Sequence, residues 1–145
     1  MSTPKLDTSS TGNPMHYSVG ALIKQNNKYL LMDRVNPPFG FAASAGHIDE
    51  NEIPEESLVR EVKEETGLEV TKYKLVGEGE FLHEDEPCRH GIGIHYWYIF
   101  ECEVTGELTK DTREAKSMDW YSADEIKKLT LEHVWKYWFG KLHII

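Results

Sequence analysis

Cysteine is scarce in this chain, with two among 145 residues. Cys88 and Cys102 cannot build a disulfide framework, and at 14 residues apart they lack the close pairing of a zinc or redox site. Both read as free thiols of a reducing cytosol, small apolar side chains in or beside strands. Long apolar runs are missing too. No stretch approaches the roughly 18 residues that cross a membrane, and the start of the chain has no apolar core of a signal peptide. Positive charge is short: Lys and Arg number 16 against 25 Asp and Glu, a net charge of −9. That balance excludes a protein that tracks nucleic-acid phosphates with a basic face. What is present is 39% apolar and 11% aromatic content, enough to pack a core at a length that suits one domain. The expectation is a cytoplasmic globule with neither membrane nor nucleic-acid polymer as partner.

Residues 1–14 are rich in Ser, Thr, Pro and Gly and predict a flexible tail, leaving 15–145 as a single domain. Tyr17, Val19, Ala21 and Ile23 alternate as a strand does. A polar turn at Gln25-Asn26-Asn27 and an apolar run from Tyr29 to Met32 complete a hairpin. Asn36-Pro37-Pro38 starts a loop that runs to about Ile53. Pro54 suits the first position of a helix, Glu55 and Glu56 favour the positive end of its dipole, and Gly67 suits the position just past its end. Strands are predicted over Val70–Leu82 and Ile92–Val104, the latter with Ile92, Ile94, Tyr96, Tyr98, Phe100, Cys102 and Val104 on one face. Ser122-Ala123-Asp124-Glu125 is a capping-box pattern before a short helix. Leu131–Phe139 predicts a further helix, whose Val134, Trp135, Trp138 and Phe139 either pack on the sheet or support a homodimer. Strands and helices in this mixed order point to a layered α/β (α+β) arrangement.

On a helical wheel, Leu58, Val59, Val62 and Thr66 form the stripe expected to be buried. Glu61, Glu64 and Glu65 fall on a neighbouring arc, where spacings of three and four bring side chains together. Carboxylates so placed repel one another. They are either a solvated acidic face or a site for a hard cation such as Mg²⁺ or Mn²⁺, which takes oxygen ligands.

The wider segment decides between these readings. Gly46, Glu52 and Arg60-Glu61-Val62-Lys63-Glu64-Glu65-Thr66-Gly67-Leu68 resemble the Nudix box at every specified position, seven fixed residues and two aliphatic ones. The resemblance implies an α/β/α sandwich with a mixed sheet flanked by helices. It also implies a divalent-metal-dependent pyrophosphohydrolase acting on a nucleoside diphosphate linked to another moiety, in the class of nucleoside triphosphates, nucleotide sugars and ADP-ribose. By the same resemblance Glu61, Glu64 and Glu65 are the metal ligands, joined by the Gly46 carbonyl, while Arg60 and Glu52 brace the loop and orient Glu61. The general base is either a box glutamate or Glu114, which lies in a stretch similar to the family's region after the box.

Two departures stand out. Many family members carry a second glycine, often after proline, where this chain has Ser44-Ala45. A proline that marks ADP-ribose-cleaving relatives is not in place, since Pro87 lies a few positions too late. Substrate choice is thinly encoded: Arg34 can hold a phosphate, and Phe39 or Phe41 can stack on a base. His83, His90 and His95 read as solvated residues in or near the loop around Glu84-Asp85-Glu86. A module that binds a nucleotide without cleaving it is the alternative to an enzyme. An isoprenoid-diphosphate isomerase would need Cys88 near the site, and an EF-hand fails because Pro54 stands where that loop needs glycine.

Charge returns here in a different form. Residues 46–68 hold eight acidic and two basic side chains, a net of −6, leaving −3 for the other 122 residues. The acidity is local to one loop and helix, and with divalent cations bound it becomes a site for phosphate.

Overall fold

The computed structural model describes residues 3–83, 91–109 and 115–145. In chain order the elements are β1 (Leu6–Thr8), β2 (Pro14–Gln25), β3 (Lys28–Arg34), β4 (Phe41–Ala42), β5 (Ser44–His47), α1 (Pro54–Thr66), β6 (Glu69–Leu82), β7 (Ile94–Thr105), β8 (Ala115–Ser122), α2 (Ala123–Ile126) and α3 (His133–Lys141).

The β2–β3 hairpin closes on the pair Gln25 and Lys28, so its loop is Asn26-Asn27. Both asparagines have positive φ, 52° and 60°, as a two-residue turn matched to the strand twist requires, and Asn tolerates that region better than most residues. β2 then runs parallel to β7, with Met15 opposite Ile94 and Ile23 opposite Cys102. β5 pairs antiparallel with β2 and β6 antiparallel with β7, while β3 carries β4 and β8. The sheet is therefore mixed.

Helices cover both of its faces. Val19, Ala21 and Ile23 of β2 and Phe100 and Cys102 of β7 pack with Leu58 and Val62 of α1. On the other face Leu22, Trp97 and Ile99 pack with Ile126, Val134, Trp135, Trp138 and Phe139. Strand alternation sorts the two sets, since neighbouring residues point to opposite faces. The result is the α/β/α sandwich expected, and the aromatic residues of α3 pack on the sheet. Burial lifts the Cys102 thiol to about 12, so this cysteine, free in the structure, is a buried small hydrophobe. Cys88 lies outside the described residues. No helix among the described residues is long and apolar enough to cross a membrane.

α1 begins at Pro54, and the Glu56 carboxylate accepts the Ile53 N–H at 3.0 Å. It ends at Gly67, whose φ of 78° is left-handed, and the Gly67 N–H closes on the Lys63 carbonyl. At α2 the capping box forms as read: Ser122 Oγ accepts the Glu125 N–H and Glu125 accepts the Ser122 N–H.

Several expectations change, among them the loop read from Asn36 to about Ile53, which holds β4 and β5. The N-terminal segment is not a free tail, because Leu6–Thr8 pairs with Pro14–His16 and the Lys5 N–H donates to the Ile48 carbonyl at 2.9 Å. This pairing is made by backbone groups, to which a Ser- and Thr-rich composition is blind. Val59 is 39% exposed and Ser57 is buried in its place, because α1 meets the sheet along Ser57, Leu58, Val62, Glu65 and Thr66. β7 is buried on both faces: His95, Trp97 and Ile99 are as enclosed as Phe100 and Cys102, as befits a central strand with helices on either side.

Leu58→Ala removes a side chain from the α1 contact and is expected to cost about 2–5 kcal/mol. Val59→Ala is expected to cost under about 0.5 kcal/mol. Urea midpoints at unchanged m-value check the pair, and equal losses would mean α1 is rotated from this placement.

Candidate active site

The loop from β5 into α1 sets the acidic residues against the sheet. Ser44 and Gly46 of β5 lie opposite Ala21 and Val19, so both look toward α1. A Cβ on Gly46 would overlap the Glu61 carboxylate, which is why only glycine allows strand and side chain to approach this closely. One turn along, Glu65 is 6% exposed, and its Oε1 accepts the Ser44 hydroxyl at 2.7 Å and the Ala45 N–H at 2.9 Å. Ser44, which departs from the family's usual residue, thus holds the last box glutamate in place. Glu64 points outward, its side chain 59% exposed.

Arg60 ties this arrangement together. Its Nε and Nη2 donate to the two Glu52 carboxylate oxygens at 2.8 and 2.9 Å, a bidentate pair. Nη1 donates to Glu61 at 2.8 Å and Glu64 at 3.4 Å, and Nη2 also donates to the His47 carbonyl at 3.0 Å. Asp49 lies 3.4 Å away. The hydrogen bonds from Arg60 hold the Glu52 carboxyl below its ordinary range, and the same bonds raise the guanidinium. Asp49 goes the other way, since burial outweighs the attraction of Arg60 and raises its carboxyl.

Gly46, Glu61 and Glu65 are therefore brought together, with Glu64 joined through Arg60 and Glu52 behind it. Their donors are all oxygen, the type that suits a hard divalent cation. Glu114 lies outside the described residues. Arg34 donates Nε to the Pro38 carbonyl at 2.9 Å and pairs with Glu132 at 3.4 Å, Phe41 packs edge-on to Tyr121, and Phe39 is 59% exposed.

Sequence reasoning passed over Asp49, Ser44 and a histidine cluster. Ser44 had a signal, since it sits two residues before Gly46 and so shares its face. The cluster had none, because His16, His47 and His95 come together only through strand pairing. His95 is not a loop residue but a buried one in β7, and His90 lies outside the described residues. Ser18 Oγ is 2.9 Å from His95 Nδ1, and His95 Nε2–H donates to the Ile92 carbonyl at 3.2 Å.

These features coincide with what comparison with known proteins finds. The NUDIX domain family profile matches residues 14–139. The ADP-ribose pyrophosphatase of Methanocaldococcus jannaschii is 35% identical over 118 residues, 80% of this chain and 67% of the relative. The NAD-capped RNA hydrolase NudC of Pseudomonas aeruginosa is 30% identical over 94 residues, 63% of this chain, which spans 30% of that enzyme. The crystal structure of the MutT protein from Methanosarcina mazei Go1 superposes with a TM-score of 0.73 at 20% identity, covering 96% of each chain. The chain belongs to the Nudix hydrolase family, as one of its pyrophosphohydrolases.

Burial pushes His95 down to about 3, helped by its neighbours His47, His83 and His16, and pushes His83 down to about 4, helped by His133. Both are neutral when folded, whereas unfolded histidine takes a proton near pH 6.5. Their depressed values mean that stability is fully present above about pH 6.5 and is lost as pH falls toward about 4. Melting temperature in a chelating buffer is expected to fall over that window, and less steeply for His83→Gln; identical slopes would contradict the burial.

Proposed function

We propose that the chain hydrolyses, with a divalent metal, a phosphoanhydride bond in a nucleoside diphosphate linked to another moiety. The observation that carries this reading is the close seating of the Glu61 and Glu65 carboxylates on β5 at Gly46 and Ser44. A generic acidic helix would turn those side chains to water instead. The cradle at Gly46 and the all-oxygen donor set fit Mg²⁺ or Mn²⁺, with Glu61, Glu64, Glu65 and the Gly46 carbonyl as the ligands. When bound, the ion neutralises the diphosphate and lowers the pKa of a water.

The chain's own residues supply the rest. Arg60 and Glu52 keep the loop on the helix, so that Glu61 keeps its orientation. Ser44 and Ala45 hold Glu65 by one oxygen. The proton of the attacking water passes to Glu64, whose carboxylate is open to solvent, or to Glu114. Phe39 presents an exposed ring on which a base can stack, and Arg34, when released from Glu132, offers a fork for phosphate. ADP-ribose, named in the relative from M. jannaschii, is the first substrate to test, beside nucleoside triphosphates and nucleotide sugars.

With Mg²⁺ the chain is expected to cleave at least one of these, and a chelator is expected to abolish turnover. Glu64→Gln and Glu114→Gln, assayed side by side across a Mg²⁺ titration, identify the base by a fall in kcat of about 10²–10⁴-fold that saturating Mg²⁺ does not restore, at unchanged melting temperature. Full activity in Glu65→Gln and in chelated protein would overturn the proposal. Tight nucleotide binding with no product released would favour a binding module instead.

A further inference from the structure

Consecutive residues of a strand face opposite ways, and β5 applies this at its end. Gly46 looks toward α1, whereas His47 lies opposite Ser18 on the face that carries Leu22, Trp97 and Ile99. On that face His16 of β2 is paired directly with His95 of β7. The rings of His16 and His47 are 5.0 Å apart, those of His47 and His95 5.1 Å, and those of His16 and His95 5.8 Å. One ring nitrogen from each lies within 4.8 Å of the other two. His16 and His95 are buried. His83, just beyond β6, packs 5.0 Å from His95 and encloses the cluster on that side.

We propose that His16, His47 and His95 form a second metal site, for a borderline transition ion such as Zn²⁺, on the sheet face opposite the acidic helix. Imidazole nitrogens suit Zn²⁺, Co²⁺ or Ni²⁺ and are poor ligands for Mg²⁺, so this site and the carboxylate cluster select different ions. Three strands supply one ligand each, which leaves a fourth, tetrahedral position for water. The tautomer of His95 is already set: Nε2–H donates to the Ile92 carbonyl, so the lone pair is on Nδ1, where Ser18 now donates. A backbone carbonyl on the far nitrogen is the usual support of a ligating histidine. Nitrogens on one tetrahedral zinc sit about 3.4 Å apart, from bonds of about 2.0–2.1 Å. Rotation about the side-chain bonds closes the difference, at the loss of the Ser18 hydrogen bond.

The ion ties β5 to β2 and β7 at the residue that follows Gly46. Cobalt tests the site, because tetrahedral Co²⁺ with nitrogen ligands gives strong visible bands and octahedral Co²⁺ on carboxylates gives weak ones. The full chain, stripped of metal and then saturated with Mg²⁺, is expected to bind one equivalent of Co²⁺ with tetrahedral bands that Zn²⁺ displaces. His16→Gln and His95→Gln are expected to weaken Co²⁺ about 100-fold or more, beyond the 10–100-fold of a change behind the ligands. His47→Gln provides a safer variant, since its contact to Arg60 is through the backbone. In that variant Zn²⁺ is expected to lose its stabilisation of the melting temperature. Glu61→Gln and Glu64→Gln are expected to keep the bands, which separates this site from the hydrolytic one. Absence of tetrahedral bands in the wild-type chain, their persistence in all three histidine variants, or their loss in the glutamate variants would overturn the proposal.

Discussion

Arg60 sits among the carboxylates of Asp49, Glu52, Glu61 and Glu64 and also reaches the His47 carbonyl. A segment with a net charge of −6 in 23 residues would drive its own loop away from its own helix. One guanidinium prevents this by spending its donors on both. Two go to Glu52 and one to the end of β5, which fixes the loop; one goes to Glu61, which fixes the helix side chain relative to that loop. Lysine could not replace it, because a point charge lacks the planar fork that binds Glu52 by two bonds while reaching others. The depressed Glu52 carboxyl and the raised Asp49 carboxyl show the limits of this neutralisation. The carboxylate that Arg60 holds bidentately stays charged readily, and the one left at 3.4 Å is dominated by burial.

Where chain chemistry is local, the fold could be read in advance. Pro54 and Gly67 bound α1 because one fills a position without need of an N–H and the other accepts positive φ. The Asn26-Asn27 turn and the Ser122 capping box are likewise decided by neighbours within four residues. The acidic arc of α1 was legible for the same reason, since helical spacing alone places Glu61, Glu64 and Glu65. What was not legible depends on partners distant in the chain. Leu6–Thr8 becomes a strand because the edge of β2 is there to pair with. Val59 is exposed because the sheet, not the helix, determines which arc of α1 is covered. His95, close in sequence to a polar loop, belongs to β7, whose two faces are both buried.

The division of labour between the two sheet faces follows from these pairings. On the α1 face, packing by Leu58, Val62, Phe100 and Cys102 fixes the helix, and the carboxylate cluster lies beside it. On the α3 face, Trp135, Trp138 and Phe139 fill the space, and large fully buried aromatics are where most of the transfer free energy lies. The burden falls on β2, whose alternate residues serve both sides.

β5 is the narrowest point of that scheme. It is four residues long, Ser44–His47, yet Ser44 holds Glu65, Gly46 receives Glu61, and the His47 carbonyl receives Arg60. A strand so short gains little from its own hydrogen bonds, so its position depends on what it touches on either side. From the α1 side it is pulled by hydrogen bonds to charged groups, which are strong when geometry is right and weaken steeply when it is not. From the other side it is held by the imidazole of His47 among those of His16 and His95. A displacement of β5 toward or away from β2 would therefore alter the placement of the Gly46 carbonyl and of Glu61 together. Sensitivity of this kind is a consequence of putting consecutive residues of one strand into two different polar clusters.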